Sequence, residues 1–197
     1  MTTRDDMDTL PQPLLDAFDA NVAETRRLAG GDLSDVTYVK LDTGREMVVK
    51  SGPLVHVEAR MLAAMAMVHA PVPEVIHTEH RLICLEYLPE APASRETWRS
   101  FGEALAQMHS WDGGQYGWQE DYAFGSVPIP NATTASWPEF WAERRLRADL
   151  SALPPELAAR VDRLAARLPE MLPESPRASL LHGDLWAGTC ISQKTVR

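Results

Sequence analysis

The order of the secondary-structure signals constrains the fold of this 197-residue chain more than any other feature. Its first ninety residues contain short runs that alternate apolar and polar side chains, which is typical of β-strands; the predicted strands are 33–41, 45–50, 74–77 and 81–88. An Ala-, Met- and Leu-rich helix is predicted among them at 55–68. Beyond the Pro-containing linker at 89–92 the periodicity is helical, at 94–109, 136–150 and 154–170.

Strands followed by helices predict an α+β chain with a bilobal fold. We expect a β-rich N-terminal lobe at 1–88 and a helical C-terminal lobe at 89–197, with any ligand in the cleft between them. A further short helix is predicted at 12–28. Residues 110–135, rich in Gly, Pro, Trp and Tyr, are predicted to form a long ordered loop of functional importance.

Composition and charge narrow the possible partners. The formal net charge of −9 argues against nucleic acid, which needs a basic surface, and the sequence has no apolar run long enough to cross a bilayer. Two cysteines give no disulfide framework, so we expect a reducing, cytoplasmic location. The oligomeric state cannot be predicted from these features.

Three charged residues occur in an order that indicates phosphoryl transfer. Lys50 ends an apolar strand, Glu58 lies on the following helix, and Asp184 follows the run Leu-Leu-His-Gly. Such a lysine can bind nucleotide phosphates while the glutamate holds it by an ion pair, and such an aspartate can accept the proton of a substrate hydroxyl. Taken singly, Lys50 and Glu58 are more simply solvated side chains; the combination with His182-Gly-Asp184 favours the catalytic interpretation.

Other candidates around this framework are less specific. Gly30, Gly31 and Ser34 at a strand entrance could fold over phosphates through backbone N–H groups, although a Gly-Gly pair is more often only a turn. The end of the fourth predicted strand, at Glu86, Tyr87 and Leu88, could pair with an adenine ring.

Two positions near Asp184 are candidates for the substrate side of the site. Trp186 is well placed to form a wall of a substrate pocket, with His182 as a second contact. The cluster Arg144, Arg145 and Arg147 is read as a solvated helix face, with the alternative that Arg145 or Arg147 meets a carboxylate or phosphate.

Three segments together resemble the fructosamine (ketosamine) kinases, within the superfamily of aminoglycoside- and choline-kinase-like proteins. They are Val48-Val-Lys50 with Glu58-Ala-Arg-Met-Leu62, the stretch from Tyr116 to Asn131 followed by Trp137 to Leu146, and His182-Gly-Asp-Leu-Trp-Ala-Gly188. The middle segment is the most specific: it contains Gly-Ser-x-Pro-x-Pro-Asn and then Trp-x-x-Phe-Trp-x-Glu-x-Arg-Leu.

The resemblance implies a protein-kinase-like fold that uses ATP and Mg²⁺ to phosphorylate a sugar hydroxyl of a glycated amine. It makes the N-terminal lobe at 1–88 the nucleotide-binding lobe. Carried over by position, Lys50 would hold the α- and β-phosphates, Glu58 would brace Lys50, and Asp184 would be the catalytic base. Related kinases act on aminoglycosides, choline, homoserine or methylthioribose, which are alternative acceptors.

The sequence departs from the family pattern near its end. Thr189 stands where the family has a metal-binding Asn, and the later metal-binding Asp is absent before Arg197. The resemblance therefore predicts an incomplete magnesium site, a helical lobe truncated after the catalytic loop, and impaired activity. A non-catalytic nucleotide- or metabolite-binding remnant, or a structural fragment without a ligand, stays open as an alternative.

Overall fold

The chain forms two compact units in a computed structural model, which describes residues 12–28 and 35–185. Unit 1 comprises the described residues up to 67 together with 71–98, and unit 2 comprises 68–70 and 99–185. The division falls within a helix, about ten residues after the boundary predicted at residue 88. Strands and helices both occur, which confirms the α+β class.

Unit 1 is built on an antiparallel sheet of five strands in the order β1-β2-β3-β5-β4. Its elements are α1 (Gln12–Phe18), β1 (Val22–Arg27), β2 (Asp35–Leu41), β3 (Glu46–Ser51), α2 (Val55–Met67), β4 (Val75–Glu79) and β5 (Leu82–Glu86). Each of β2 to β5 overlaps a predicted strand, and α2 matches the predicted helix at 55–68. Strand β3 lies at the centre of the sheet, so the residue at its end is fixed from both sides.

The two faces of this sheet are packed by different helices. On one face, Met47 and Val49 join a cluster with Leu14 of α1, which is 1% exposed. On the other face, Ile83 and Leu85 pack with Val55 at the start of α2. Because successive residues of a strand point to opposite faces, Val48 and Lys50 of β3 belong to the face that α2 covers.

The predicted helix at 12–28 was wrong in its second half. Helix α1 ends at Phe18, followed by Asp19 with φ of 45°, and the chain then continues as β1. The sequence Val-Ala-Glu-Thr-Arg-Arg has good helix formers, but β1 pairs with β2 on one side and is largely exposed, so it needs little apolar content. Tertiary pairing overrides local propensity here.

Unit 2 is mainly helical. It contains most of α3 (Arg95–Ser110), the hairpin strands β6 (Tyr122–Phe124) and β7 (Val127–Ile129), α4 (Trp137–Trp141) and α5 (Pro155–Met171). Helix α4 passes directly into a π-helical turn, Ala142–Leu146, and a 3₁₀ turn follows at Leu150–Ala152. The hairpin lies inside the segment 110–135, where only a loop was predicted.

The apolar residues of α5 differ in their burial. Ala165 and Leu168 are buried against Ala142, whereas Leu157 and Leu164 are each 41% exposed. The helical periodicity at 154–170 therefore located this helix correctly, and only part of its apolar surface is packed in the described chain. In the described part of the chain, no helix is long and apolar enough to cross a membrane.

Candidate active site

The ammonium of Lys50 is held by the carboxylate of Glu58 within unit 1. The Nζ atom lies 2.8 Å from Oε1 and 2.7 Å from Oε2, so both carboxylate oxygens accept a hydrogen bond. The side chains are 23% and 21% exposed, which limits the screening of the pair by water. The ion pair predicted from the sequence is therefore present in the structure.

Local structure explains why these two residues meet. Lys50 lies opposite Val36 of β2 and Ile83 of β5 in the strand register, so its backbone is held on both sides. Helix α2 starts five residues later, and its first-turn N–H at Glu58 donates to the carbonyl of Leu54 at 3.0 Å. Because α2 packs on the face where Lys50 points, an acidic residue in its first turn reaches the lysine.

Glu86 is the last residue of β5, and Tyr87 and Leu88 follow it. The N–H of Glu86 donates to the carbonyl of Glu74 at 2.9 Å, and its carboxylate accepts from the N–H of Glu74 at 3.3 Å. The ring of Tyr87 packs edge-on against Tyr38, with 4.7 Å between the centroids. Glu86 is therefore held by Glu74, and Tyr87 by Tyr38.

Tyr38 itself is fixed by a carboxylate. Its hydroxyl donates to Glu46 at 2.6 Å, and this hydrogen bond raises the pKa of Tyr38 to about 12. The guanidinium of Arg26 lies 5.1 Å from the centre of the same ring. Tyr38, against which Tyr87 packs, thus contacts side chains of both neighbouring strands, β1 and β3.

The turn His182-Gly183-Asp184 belongs to unit 2. Gly183 has φ of +89°, a left-handed conformation that residues with a Cβ rarely adopt, so glycine is required at this position. The N–H of Asp184 points back to Nδ1 of His182 at 3.3 Å. Asp184 is exposed at the turn.

Five of the predicted site residues lie outside the described residues. They are Gly30, Gly31, Ser34, Trp186 and Thr189. Their proposed roles toward phosphate, substrate and metal remain predictions.

Sequence reasoning missed a polar network around Asn131, which is 5% exposed. Its N–H donates to Asp121 at 2.6 Å, its side-chain amide donates to the carbonyl of Glu120 at 3.0 Å, and its Oδ1 accepts from Arg145 at 2.9 Å. Asn131 and Arg145 are the final asparagine and the arginine of the most specific motif. The motif signalled both residues, but their pairing is visible only in the structure.

Arg145 binds neutral oxygens and an aromatic ring. Besides Asn131, it donates to the carbonyls of Pro130 at 2.7 Å and Arg144 at 2.8 Å, and its guanidinium lies 4.5 Å from the centre of the Phe140 ring. Burial lowers the pKa of Arg145. Arg145 thus fastens the segment after β7 to the π-helical turn.

The neighbouring Arg147 meets carboxylates, which confirms one alternative for the arginine cluster. It donates to Glu143 at 2.6 Å and to Asp162 of α5 at 2.7 Å. These hydrogen bonds raise the pKa of Arg147. Its role in the described part of the chain is to connect the π-helical turn with α5.

Comparison with known proteins places the fold among kinase-like phosphotransferases. A solved macrolide 2′-phosphotransferase from Brachybacterium faecium superposes with a TM-score of 0.57 over 92% of this chain and 66% of its own, at 21% identity. A candidate fructosamine-3-kinase from Thermobifida fusca gives a TM-score of 0.76 at 29% identity, over 92% of this chain and 68% of its own.

The family follows from the sequence. The profile of the fructosamine kinase family matches residues 10–196, and the chain belongs to this family. A probable ketoamine kinase from Synechocystis is 29% identical over 85% of this chain and 61% of its own length. The chain therefore spans less than two thirds of that relative.

Proposed function

We propose that this protein is an ATP-dependent phosphotransferase that phosphorylates a sugar hydroxyl of a ketosamine. The observation that carries the proposal is the ion pair in which both carboxylate oxygens of Glu58 accept hydrogen bonds from the ammonium of Lys50. The overall similarity to the solved candidate fructosamine-3-kinase from Thermobifida fusca supports it. Membership of the fructosamine kinase family supports the same reaction.

Lys50 is suited to bind the α- and β-phosphates of ATP. An ammonium has three N–H donors, one more than its two contacts with Glu58 require, so it can bond a phosphate oxygen while it remains paired. Glu58 holds the ammonium of Lys50 in one position before ATP binds, so less side-chain entropy is lost when ATP binds. Gly30, Gly31 and Ser34 would contribute further phosphate contacts.

The adenine end of the nucleotide is assigned to Glu86, Tyr87 and Leu88. Backbone groups of a segment that leaves a strand can pair with the edge of the ring. The packing of Tyr87 on Tyr38 supports this assignment because it holds the segment still before the nucleotide arrives.

Asp184 is the proposed catalytic base. As the acceptor oxygen forms its bond to the γ-phosphorus, the bond from that phosphorus to the bridging oxygen breaks and ADP leaves. The carboxylate of Asp184 takes the proton of the attacking hydroxyl, which it can reach because it is exposed at the turn.

Magnesium is typical of such kinases and would neutralise phosphate charge when bound. The residues described by the structure bring together no group of three or more His, Cys, Asp or Glu side chains that could hold a metal ion. The predicted ligand Thr189 lies outside them.

A ketosamine acceptor is supported by the relatives. Besides the Synechocystis protein, a protein-ribulosamine 3-kinase from rice is 30% identical over 84% of this chain and 53% of its own length. We assign the acceptor side to Trp186, His182 and the segment 111–131. For His182, Nδ1 accepts from the turn, so contact with the acceptor falls to Nε2.

The test combines binding and turnover on the 197-residue chain. ATP affinity is measured by calorimetry with and without Mg²⁺, and ADP release is followed with a fructosyl-amine and, separately, choline or an aminoglycoside. Lys50→Met should weaken ATP binding about tenfold or more, equivalent to about 1.4 kcal/mol. Lys40→Met is the matched control, because Lys40 lies on β2 in a more exposed pair, 3.6 Å from Glu46.

Asp184→Asn separates catalysis from binding. It should reduce turnover by about 10²- to 10⁴-fold and change ATP affinity less than about twofold. Full turnover by Asp184→Asn, or preference for choline over the fructosyl-amine, would overturn the proposal. ATP binding that is indifferent to Mg²⁺ and gives no phosphorylated product would support the non-catalytic nucleotide-binding alternative instead.

A further inference from the structure

The segment that precedes the catalytic turn is held along its length by another segment of unit 2. Ser179 Oγ donates to the carbonyl of His109 at 2.6 Å, and the N–H of Gly113 donates to the carbonyl of Ala178 at 2.8 Å. Arg177 donates to the carbonyl of Ser110 at 2.9 Å. The position of residues 177–179 is therefore set by residues 109–113.

Tyr116 fixes the start of the same segment. Its hydroxyl donates to the carbonyl of Pro176, sixty residues away in the sequence. Residues 176–181 lie outside every helix and sheet strand of the described chain, and apart from an isolated bridge between Asp112 and Ser179 they have no regular backbone ladder. Isolated contacts, among them that of Tyr116, therefore decide where this segment runs.

Tyr116 is itself rigidly held. It is 7% exposed, its backbone exchanges hydrogen bonds of 3.0 and 2.9 Å with Thr134, and its ring lies 5.0 Å from that of Trp137. Trp137 in turn stacks on Phe140 of α4, with 5.8 Å between the ring centres. Burial raises the pKa of Tyr116, so its hydroxyl keeps the proton that it donates.

We propose that Tyr116 is a positioning residue for the turn that carries Asp184: it transmits the fixed position of α4 to residues 176–184. The inference rests on the proposed function insofar as Asp184 is the base. Because Tyr116 is 7% exposed and its hydroxyl is bonded to the carbonyl of Pro176, it acts through that carbonyl and the segment that follows. Phosphoryl transfer gains most of its rate from positioning, so a small displacement of the base reduces turnover more than it reduces binding.

The experiment compares Tyr116→Phe with Thr134→Val. Both variants remove one hydroxyl of a buried residue that donates to a backbone carbonyl, but Thr134 bonds to Ser136 and not to the segment before the turn. Hydrogen exchange by mass spectrometry is measured on the peptides covering 176–185 and α5, and kcat and KM are measured with ATP and a fructosyl-amine.

For Tyr116→Phe we expect amide exchange in 177–185 to rise about fivefold or more while α5 stays unchanged, since one local hydrogen bond is lost. The kcat should fall about tenfold with KM for ATP within about twofold. Ser179→Ala should have the same signature, and Thr134→Val should have neither effect. Unchanged exchange in 177–185, or an equal rise throughout unit 2, overturns the positioning role.

The exchange measurement and the kinetic measurement distinguish the positioning role of Tyr116 from the proposed phosphotransferase function. A wild-type chain that gives no turnover with any acceptor refutes the proposed function, while the exchange arm alone still decides whether Tyr116 holds the segment. Normal wild-type turnover with an unchanged kcat in Tyr116→Phe refutes the positioning role and leaves the proposed function standing.

Discussion

Replacement of Arg145 by methionine should destabilise unit 2 through the loss of specific hydrogen bonds. Methionine retains much of the apolar stem but removes all three donated bonds, to Pro130, Arg144 and Asn131, at 2.7, 2.8 and 2.9 Å. The side-chain oxygen of Asn131 then has no replacement partner from solvent, because Asn131 is only 5% exposed.

The magnitude follows from these contacts. Taking about 1 kcal/mol for each of three bonds gives a loss of about 3 kcal/mol in the free energy of unfolding. The contact of the guanidinium with the Phe140 ring adds about 0.5–1 kcal/mol, and this is offset by the desolvation cost that the charged side chain no longer carries. A stability loss of about 3 kcal/mol is a large part of what a small domain possesses.

Urea denaturation followed by tryptophan fluorescence measures this loss. Four of the six tryptophans lie between residues 111 and 141, so the signal reports mainly on unit 2. Arg144→Met is the control, because Arg144 makes one exposed bond of 3.2 Å to the carbonyl of Ala132 and should lose about 0.5 kcal/mol or less. Equal losses for the two variants would refute the assigned role of Arg145.

The remaining predictions concern other parts of the chain. Glu58→Gln should lower the free energy of unfolding of unit 1 by about 1–2 kcal/mol, because it leaves the half-buried ammonium of Lys50 without its counter-charge; chemical denaturation measures this, and a loss below about 0.5 kcal/mol contradicts it. Gly117→Ala should cost about 2–4 kcal/mol, since φ is +123° and the new Cβ would collide with the backbone carbonyl oxygen of Asn131; Gly114→Ala, strained at φ +73° but unobstructed, should cost less in thermal denaturation. Burial raises the pKa of Cys84 to about 12, whereas an unfolded thiol titrates near about 8.5. The unfolded state therefore ionises first, so unfolding free energy should fall between about pH 9 and 11, and less so in Cys84→Ala; identical pH slopes would count against this account.

Much of unit 1 could be predicted because its elements are short and locally encoded. The alternation in 33–50 identified β2 and β3, and Lys50 and Glu58 meet because a strand end and the next helical turn are close in sequence. Strand β1 could not be predicted, since an exposed edge strand needs no apolar alternation.

The polar network of unit 2 lay beyond sequence reasoning for a different reason. The bond between Asn131 and Arg145 joins residues fourteen positions apart, and such a pairing leaves no local pattern in the sequence. Arg145 also lies in the π-helical turn Ala142–Leu146, whose spacing a period of 3.6 residues does not describe. The hairpin of β6 and β7 was missed because each strand has only three residues, too few to show alternation.

The network of Asn131 and Arg145 also has a consequence for how relatives of this chain are recognised. The most distinctive motif of the sequence contains Asn131 and Arg145, whose hydrogen bonds form a structural clamp between the segment after β7 and the π-helical turn. The residues proposed to take part in the reaction, Lys50, Glu58 and Asp184, lie in shorter and more common patterns. A homologue could keep the clamp, lose the lysine or the aspartate, and still match the family along its whole length. Similarity at Asn131 and Arg145 therefore indicates a shared fold, and only Lys50, Glu58 and Asp184 indicate whether a relative can carry out the reaction.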